Sequence, residues 1–335
     1  MPDPVDPEDS VQPIPLTPEQ IAAIQANSEL NARPLESFAT VRRFDNAWDL
    51  LLELHGHPLS NHHWAFRGQT NAAWKLESSI ERLRKTYSNS FRGNAEDYVR
   101  EAFKRRAHHY LQRIPQDGEE LEWMALMRHH GAPTRLLDWT RSPYVAAFFA
   151  IADAREDETS AIWAVDTRAV KLEALKLLRE DGVIDDETLN TFSLSDPNVF
   201  DRVFLRETQP AIVAPVEPYR TNERAVSQQG LFLCSNTSVW GFEFGLKHVL
   251  RCDRERIEAE FRAEEPAGEP FQPERLFKLC IAPQARSALI KELYRMNINY
   301  GTLFPGIDGF ARSLGTNVTV SDFNIFFDPE LDERV

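Results

Sequence analysis

The residues after Ser142-Pro143 constrain the fold most. Tyr144 to Ala152 is apolar on nearly every side, and a helix without a polar face has to be covered all round. Serine as N-cap and proline at the first helical position mark where it starts. With 335 residues, one large domain or two smaller ones could supply that cover and bury a sizeable core.

The covering elements are a mixture. Asn46 to Leu54 reads as an apolar-rich helix stopped by Gly56 and Pro58. Residues 95–113 read as a helix with Val99, Ala102, Phe103 and Tyr110 on one side and Arg100, Lys104, Arg105 and Arg106 on a solvated face. Glu119 to His130 is a further helix, ended by Gly131 and Pro133. Ala161 to Val165 reads as a buried strand, and residues 167–192 as helical, with Asp185-Asp186-Glu187 capping a helix. Short strands follow at 211–214, 230–234 and 277–282, then a last helix over about 284–296. There is no regular βαβ repeat and no Gly-rich dinucleotide fingerprint, so the pattern predicts an α+β fold: a mixed, mainly antiparallel sheet with packed helices, not a Rossmann fold. Residues 1–16, rich in proline and acid, read as a disordered tail. Residues 17–35 read as a short helix opened by Thr17-Pro18-Glu19-Gln20, with a linker, and 36–335 as a single main domain.

Charge narrows the partners. Fifty-two acidic residues against 38 basic give a formal charge of -14, which repels a phosphate backbone and disfavours nucleic acid. Cys234, Cys252 and Cys280 are far apart and odd in number, so neither a disulfide framework nor a zinc knuckle is expected. The three cysteines predict a reducing, cytoplasmic compartment. No apolar run reaches the length of a membrane span, and the start lacks the features of a secretory signal.

Three stretches carry polar chemistry. In Trp64-Ala65-Phe66-Arg67-Gly68-Gln69-Thr70 an apolar run holds one arginine, then a glycine free to take positive φ. It reads as a half-buried strand giving way to a turn, with Arg67 placed to meet an anion or carboxylate. In His129 to Pro143, burial of Leu136, Leu137 and Trp139 draws Thr134, Arg135, Asp138 and Thr140 to low dielectric, where each needs a partner. Asp138 pairing with Arg135 or Arg67 is the natural arrangement. Two readings stand level: a polar knot holding a loop under the buried helix, or a ligand-binding loop ahead of a helix N-terminus. In Arg224 to Phe232, Gln228 and Gln229 precede Gly230 and an apolar strand, and could bind a ligand hydroxyl or satisfy loop backbone. The paired histidines, His129-His130 among them, occur without HExxH or clustered cysteine, so no metal site is assigned.

Together, Phe66-Arg67-Gly68-Gln69, His130 to Thr140, Ser142-Pro143 with Ala146 to Ala150, Ser227 to Phe232, and Thr302 to Gly309 resemble the FRG domain, a bacterial and phage-associated family. The resemblance spans roughly residues 37–315. A second likeness, of element order, is to ADP-ribosyltransferases. It implies that Arg67 holds a phosphate or ribose of NAD, that Thr140 and Ser142 shape the nicotinamide pocket, and that Gln228-Gln229 takes the late position. In those enzymes a carboxylate stands there, and glutamine cannot stabilise developing positive charge as a carboxylate does; Asp138 or Glu223 would have to substitute.

Two functions are therefore expected. One is an NAD-dependent transferase or glycohydrolase effector, a toxin or defence protein. Arg67, Asp138 and Gln228 would be its catalytic set, and Gly68, His130, Thr134, Arg135, Thr140, Ser142 and Gln229 its ligand-binding set. NAD is its candidate substrate, with no resident cofactor assigned. The other is a non-catalytic sensor of a small nucleotide or protein in a stress or phage-defence system. Oligomeric state is left open.

Overall fold

A computed structural model describes residues 26–86, 95–191, 193–206, 210–237, 240–250 and 274–319. The chain divides into two compact units, Met1–Pro34 and Leu35–Val335. The described part of the first is helical over residues 26–32. The expected tail at 1–16 and the helix start at Thr17 lie outside the described residues.

The second unit is an α+β fold. Its strands are β1 (Thr40–Phe44), β2 (Trp64–Gln69), β3 (Leu136–Thr140), β4 (Ser160–Asp166), β5 (Val213–Val216), β6 (Gly230–Ser235) and β7 (Leu276–Ile281). They form one sheet in the order β1-β7-β4-β2-β3-β6-β5. β1 and β7 run parallel, and every other neighbouring pair is antiparallel. The main helices are α1 (Ala47–His55), α2 (Ser79–Thr86), α3 (Ala95–Ala107), α4 (Glu120–His129), α5 (Pro143–Ile151), α6 (Thr167–Glu180), α7 (Glu223–Ser227), α8 (Phe242–Leu250), α9 (Arg286–Arg295), α10 (Tyr300–Leu303) and α11 (Ile307–Thr319).

Side chains alternate across the sheet and feed two cores. Ala65, Trp163, Val165 and Leu276 pack with α4, α6 and α8. Trp64, Phe66, Ile162, Ala164, Phe277 and Leu279 pack with α1, α5, α9 and α10. Helix α5 sits in the second core as its composition requires: the Ser142 hydroxyl accepts from Val145 N, Pro143 follows, and Val145 to Phe148, Ala150 and Ile151 are buried. Its contact with β2 depends on Gly68. A Cβ there would lie 2.1 Å from Ala146 O and 2.5 Å from Ala150 N. Gly68 is thus a strand residue paired with Ile162, kept small for close helix approach and not for a turn.

Several expectations are corrected. Leu136–Thr140 is a central strand, not part of a loop, and β1 is an edge strand that the sequence pattern does not predict. Helix α3 ends at Ala107, leaving Tyr110 83% exposed. Arg100 and Lys104 are no solvated face. They are half-buried on Glu120, at 3.1 and 2.5 Å. The helical region after 167 is two helices, α6 and a short one over Asp186–Thr191, and the Asp185 carboxylate caps the second as expected, accepting from Thr188 N. Helix α9 is followed by α10 and α11.

Candidate functional site

The sheet parts at its middle. β2 pairs with β4 along its whole length, from Trp64↔Asp166 to Gln69↔Ala161, yet meets β3 only at Phe66↔Thr140. Beyond that pair the two strands separate, and a cavity of about 450 Å³ is lined by residues of both. Arg67 reaches across the parting, where its Nη1 donates to the Asp138 carbonyl oxygen at 2.6 Å. A side chain thus satisfies a main-chain acceptor at the point where the ladder stops.

The Asp138 carboxylate belongs to Arg128, not to Arg67 or Arg135. Arg128, in the last turn of α4, donates to Oδ2 through both Nε, at 2.8 Å, and Nη2. Burial alone would raise the Asp138 carboxyl, but the Arg128 guanidinium outweighs it, helped by Arg67 and Arg224, and holds it below the ordinary carboxylate value. Among the described residues Oδ1 accepts no hydrogen bond, and the side chain is 46% exposed.

Three arginines line the cavity: Arg67, Arg128 and Arg224. Burial pushes Arg67 down to about 10, against the pull of Asp138 and with the push of Arg128; it stays cationic near neutrality. Among the described residues its buried Nε has no acceptor, and neither has the buried indole N–H of Trp139 on the same wall. Arg224, on α7, lies 4.3 Å from the Phe304 ring centroid as a cation–π pair. Burial lowers it too, as do Arg128 and Arg312, while Asp138 pulls the other way. Burial, His130 and Arg224 push the pKa of His129 down. The wall also carries the aromatic residues Phe66, Phe149 and Phe232.

Residues 62–159 match the family model of the FRG domain. The chain carries an FRG domain. The match contains the Arg67 strand, the Asp138 strand and α5, so it takes in one side of the cavity. It is shorter than the resemblance read over 37–315 and leaves out Gln228-Gln229-Gly230. Searches of curated proteins and of solved structures found no match.

The cavity brings together Arg67, Gly68, Asp138 and Thr140 of the FRG domain and Gln228 from beyond the matched residues. Thr140 and Gln228 are tied to each other. Thr140 Oγ1 donates to Gln228 O at 2.6 Å and accepts from Ser142 N, while Gln228 Nε2 donates to Leu303 O at 2.9 Å. The Gln228 amide nitrogen is thereby engaged in holding α7 to α10.

Five expected site residues do not line the cavity. Ser142 caps α5. Thr134 is bonded to Ser79 through its main chain, at 2.9 Å from Thr134 N to Ser79 Oγ. Arg135 is buried on Glu96, Nε to Oε2 at 2.7 Å, and also donates to Phe204 O. His130 ends α4 and is exposed. Gln229 is an exposed turn residue at φ 48 whose carbonyl accepts from Arg141 N. Glu223, considered as a substitute carboxylate, is exposed on α7 and is not among the cavity-lining residues.

Proposed function

We propose that the FRG domain of this chain binds a small anionic ligand of the nucleotide class in the cavity beside β2 and β3. The observation that carries the reading is the company Asp138 keeps: an ionised carboxylate with a free Oδ1, on one wall with Arg67, Arg128 and Arg224 and with aromatic residues. A carboxylate oxygen accepts from ribose hydroxyls, guanidinium groups suit phosphate, and rings offer faces for a base. About 450 Å³ is within the range of small-ligand sites. In this reading the FRG domain is a ligand-sensing module, in the stress or phage-defence setting that the family resemblance implies.

A second reading has the cavity consume NAD as a transferase or glycohydrolase. Asp138 Oδ1 favours it, because a carboxylate beside the ribose stabilises oxocarbenium-like charge. Binding without turnover is preferred because Arg128 occupies Oδ2 and offsets the negative charge that such a step needs.

Calorimetric titration of the full chain with AMP, ADP, ADP-ribose and NAD tests the first reading, run beside an assay for nicotinamide release. Saturable binding without release is the expected result. Release of nicotinamide that stops in folded Asp138→Asn protein moves the assignment to the second reading. Absence of binding by every probe removes the first.

A further inference from the structure

We infer that the cavity takes a diphosphate, with one phosphate on Arg67 and the next on Arg224; the inference rests on the nucleotide reading for the rest of the ligand. Pairing off the charges on the wall leads to it. The Arg128 cation is matched by Asp138, and Glu217, at the rim, is matched by Arg141. Among the described residues that leaves two cations facing the cavity without an ion-pair partner, Arg67 and Arg224.

Neither forms an ion pair among the described residues, although the Asp138 carboxylate attracts both through space. The Arg67 side chain donates to a main-chain carbonyl and, among the described residues, keeps a buried Nε without an acceptor. Arg224 rests on the Phe304 ring. Unpaired cations near a third arginine are costly to bury, and a chain that keeps two of them gains when a dianion arrives. They come from different elements, β2 and α7, so two adjacent phosphates offer each cation an anionic group of its own, where a monophosphate offers one group to both.

The test is a charge series on the unmodified chain: adenosine, AMP, ADP, ADP-ribose and inorganic pyrophosphate, each at low and high salt. ADP and ADP-ribose are expected to bind at least about tenfold more tightly than AMP, with adenosine weakest and the gap shrinking as salt rises. Arg224→Gln is expected to narrow the ADP–adenosine gap and to melt at a higher temperature than the unmodified chain when no ligand is present. Adenosine or AMP binding as tightly as ADP overturns the diphosphate assignment and leaves the nucleotide reading standing. Pyrophosphate binding while no nucleoside or nucleotide binds supports the diphosphate site and removes the nucleotide reading. The ligand series stands even where Arg224→Gln fails to fold.

Discussion

Gly68 and Ala146 touch main chain to main chain: a methyl group on the Gly68 Cα would lie 2.1 Å from the Ala146 carbonyl oxygen. Neither neighbour is a flexible side-chain end, so α5 or β2 must move to admit it. Gly68→Ala is expected to destabilise the fold by about 3 kcal/mol or more, at the top of the range for overpacked cores. Gly131→Ala is the control. It meets nothing within 4 Å and suffers only from φ +83, at about 1 kcal/mol. Urea midpoints of the two variants check the order; equal losses would mean that helix and strand do not pack this closely.

Arg135 separates folding from binding. Its guanidinium and Glu96 are both buried, and removing one partner strands the other charge at a cost of about 3–5 kcal/mol. Arg135→Met is expected to lose that much stability, and Glu96→Gln with Arg135→Met together less than the two single losses summed. Arg135 does not line the cavity, so any folded fraction should bind ligand unchanged. Chemical denaturation of the cycle, with a titration of the folded protein, reads both effects.

How much of this the sequence carried depended on whether the signal was local. Ser142-Pro143 and the apolar run after it could be read because a cap and a missing polar face are written in neighbouring residues. β3 could not. In Leu136-Leu137-Asp138-Trp139-Thr140 every residue but Asp138 is buried, so the strand shows no alternation to distinguish it from a loop. β1, at the sheet edge, exposes Arg42 and Arg43 and shows no apolar pattern. The same limit hid half of the cavity. Arg128 looks like a charge compensating a helix C-terminus, and nothing adjacent marks it as the partner of Asp138. Arg224 stands before an amide pair, and nothing in its neighbours marks it as a cavity cation. Glu96 and Arg135 meet across 39 positions, a pairing that only the tertiary fold creates.

The Asp138–Arg128 pair has a signature in acid. The folded carboxyl lies below its ordinary value, so the folded state binds fewer protons there than the unfolded chain. The stability it contributes is complete above the unfolded value of about 4 and is lost as pH falls through the folded one. Asp138→Asn is expected to be less stable than the unmodified chain near neutrality and to converge with it at low pH. Urea midpoints measured from pH about 3 to about 7 decide this. A difference that stays constant across the range would assign the loss to packing and not to charge.

If the cavity binds a nucleotide as proposed, His129 gives that binding a pH dependence of its own. Burial, His130 and Arg224 depress its pKa, so it is neutral at pH 7 in the empty cavity. An anion beside it favours the imidazolium and raises that pKa, so binding takes up a proton and tightens as pH falls through and below about 6.5. ADP-ribose is the suitable probe: its diphosphate keeps its charge there, whereas a terminal phosphate, titrating near about 6, would weaken as it protonates. Affinity for ADP-ribose is expected to rise between pH about 7.5 and about 5.5, and His129→Gln to flatten the profile while keeping the affinity seen at high pH. A profile that is flat in the unmodified chain, or equally steep in the variant, would take His129 out of the binding wall.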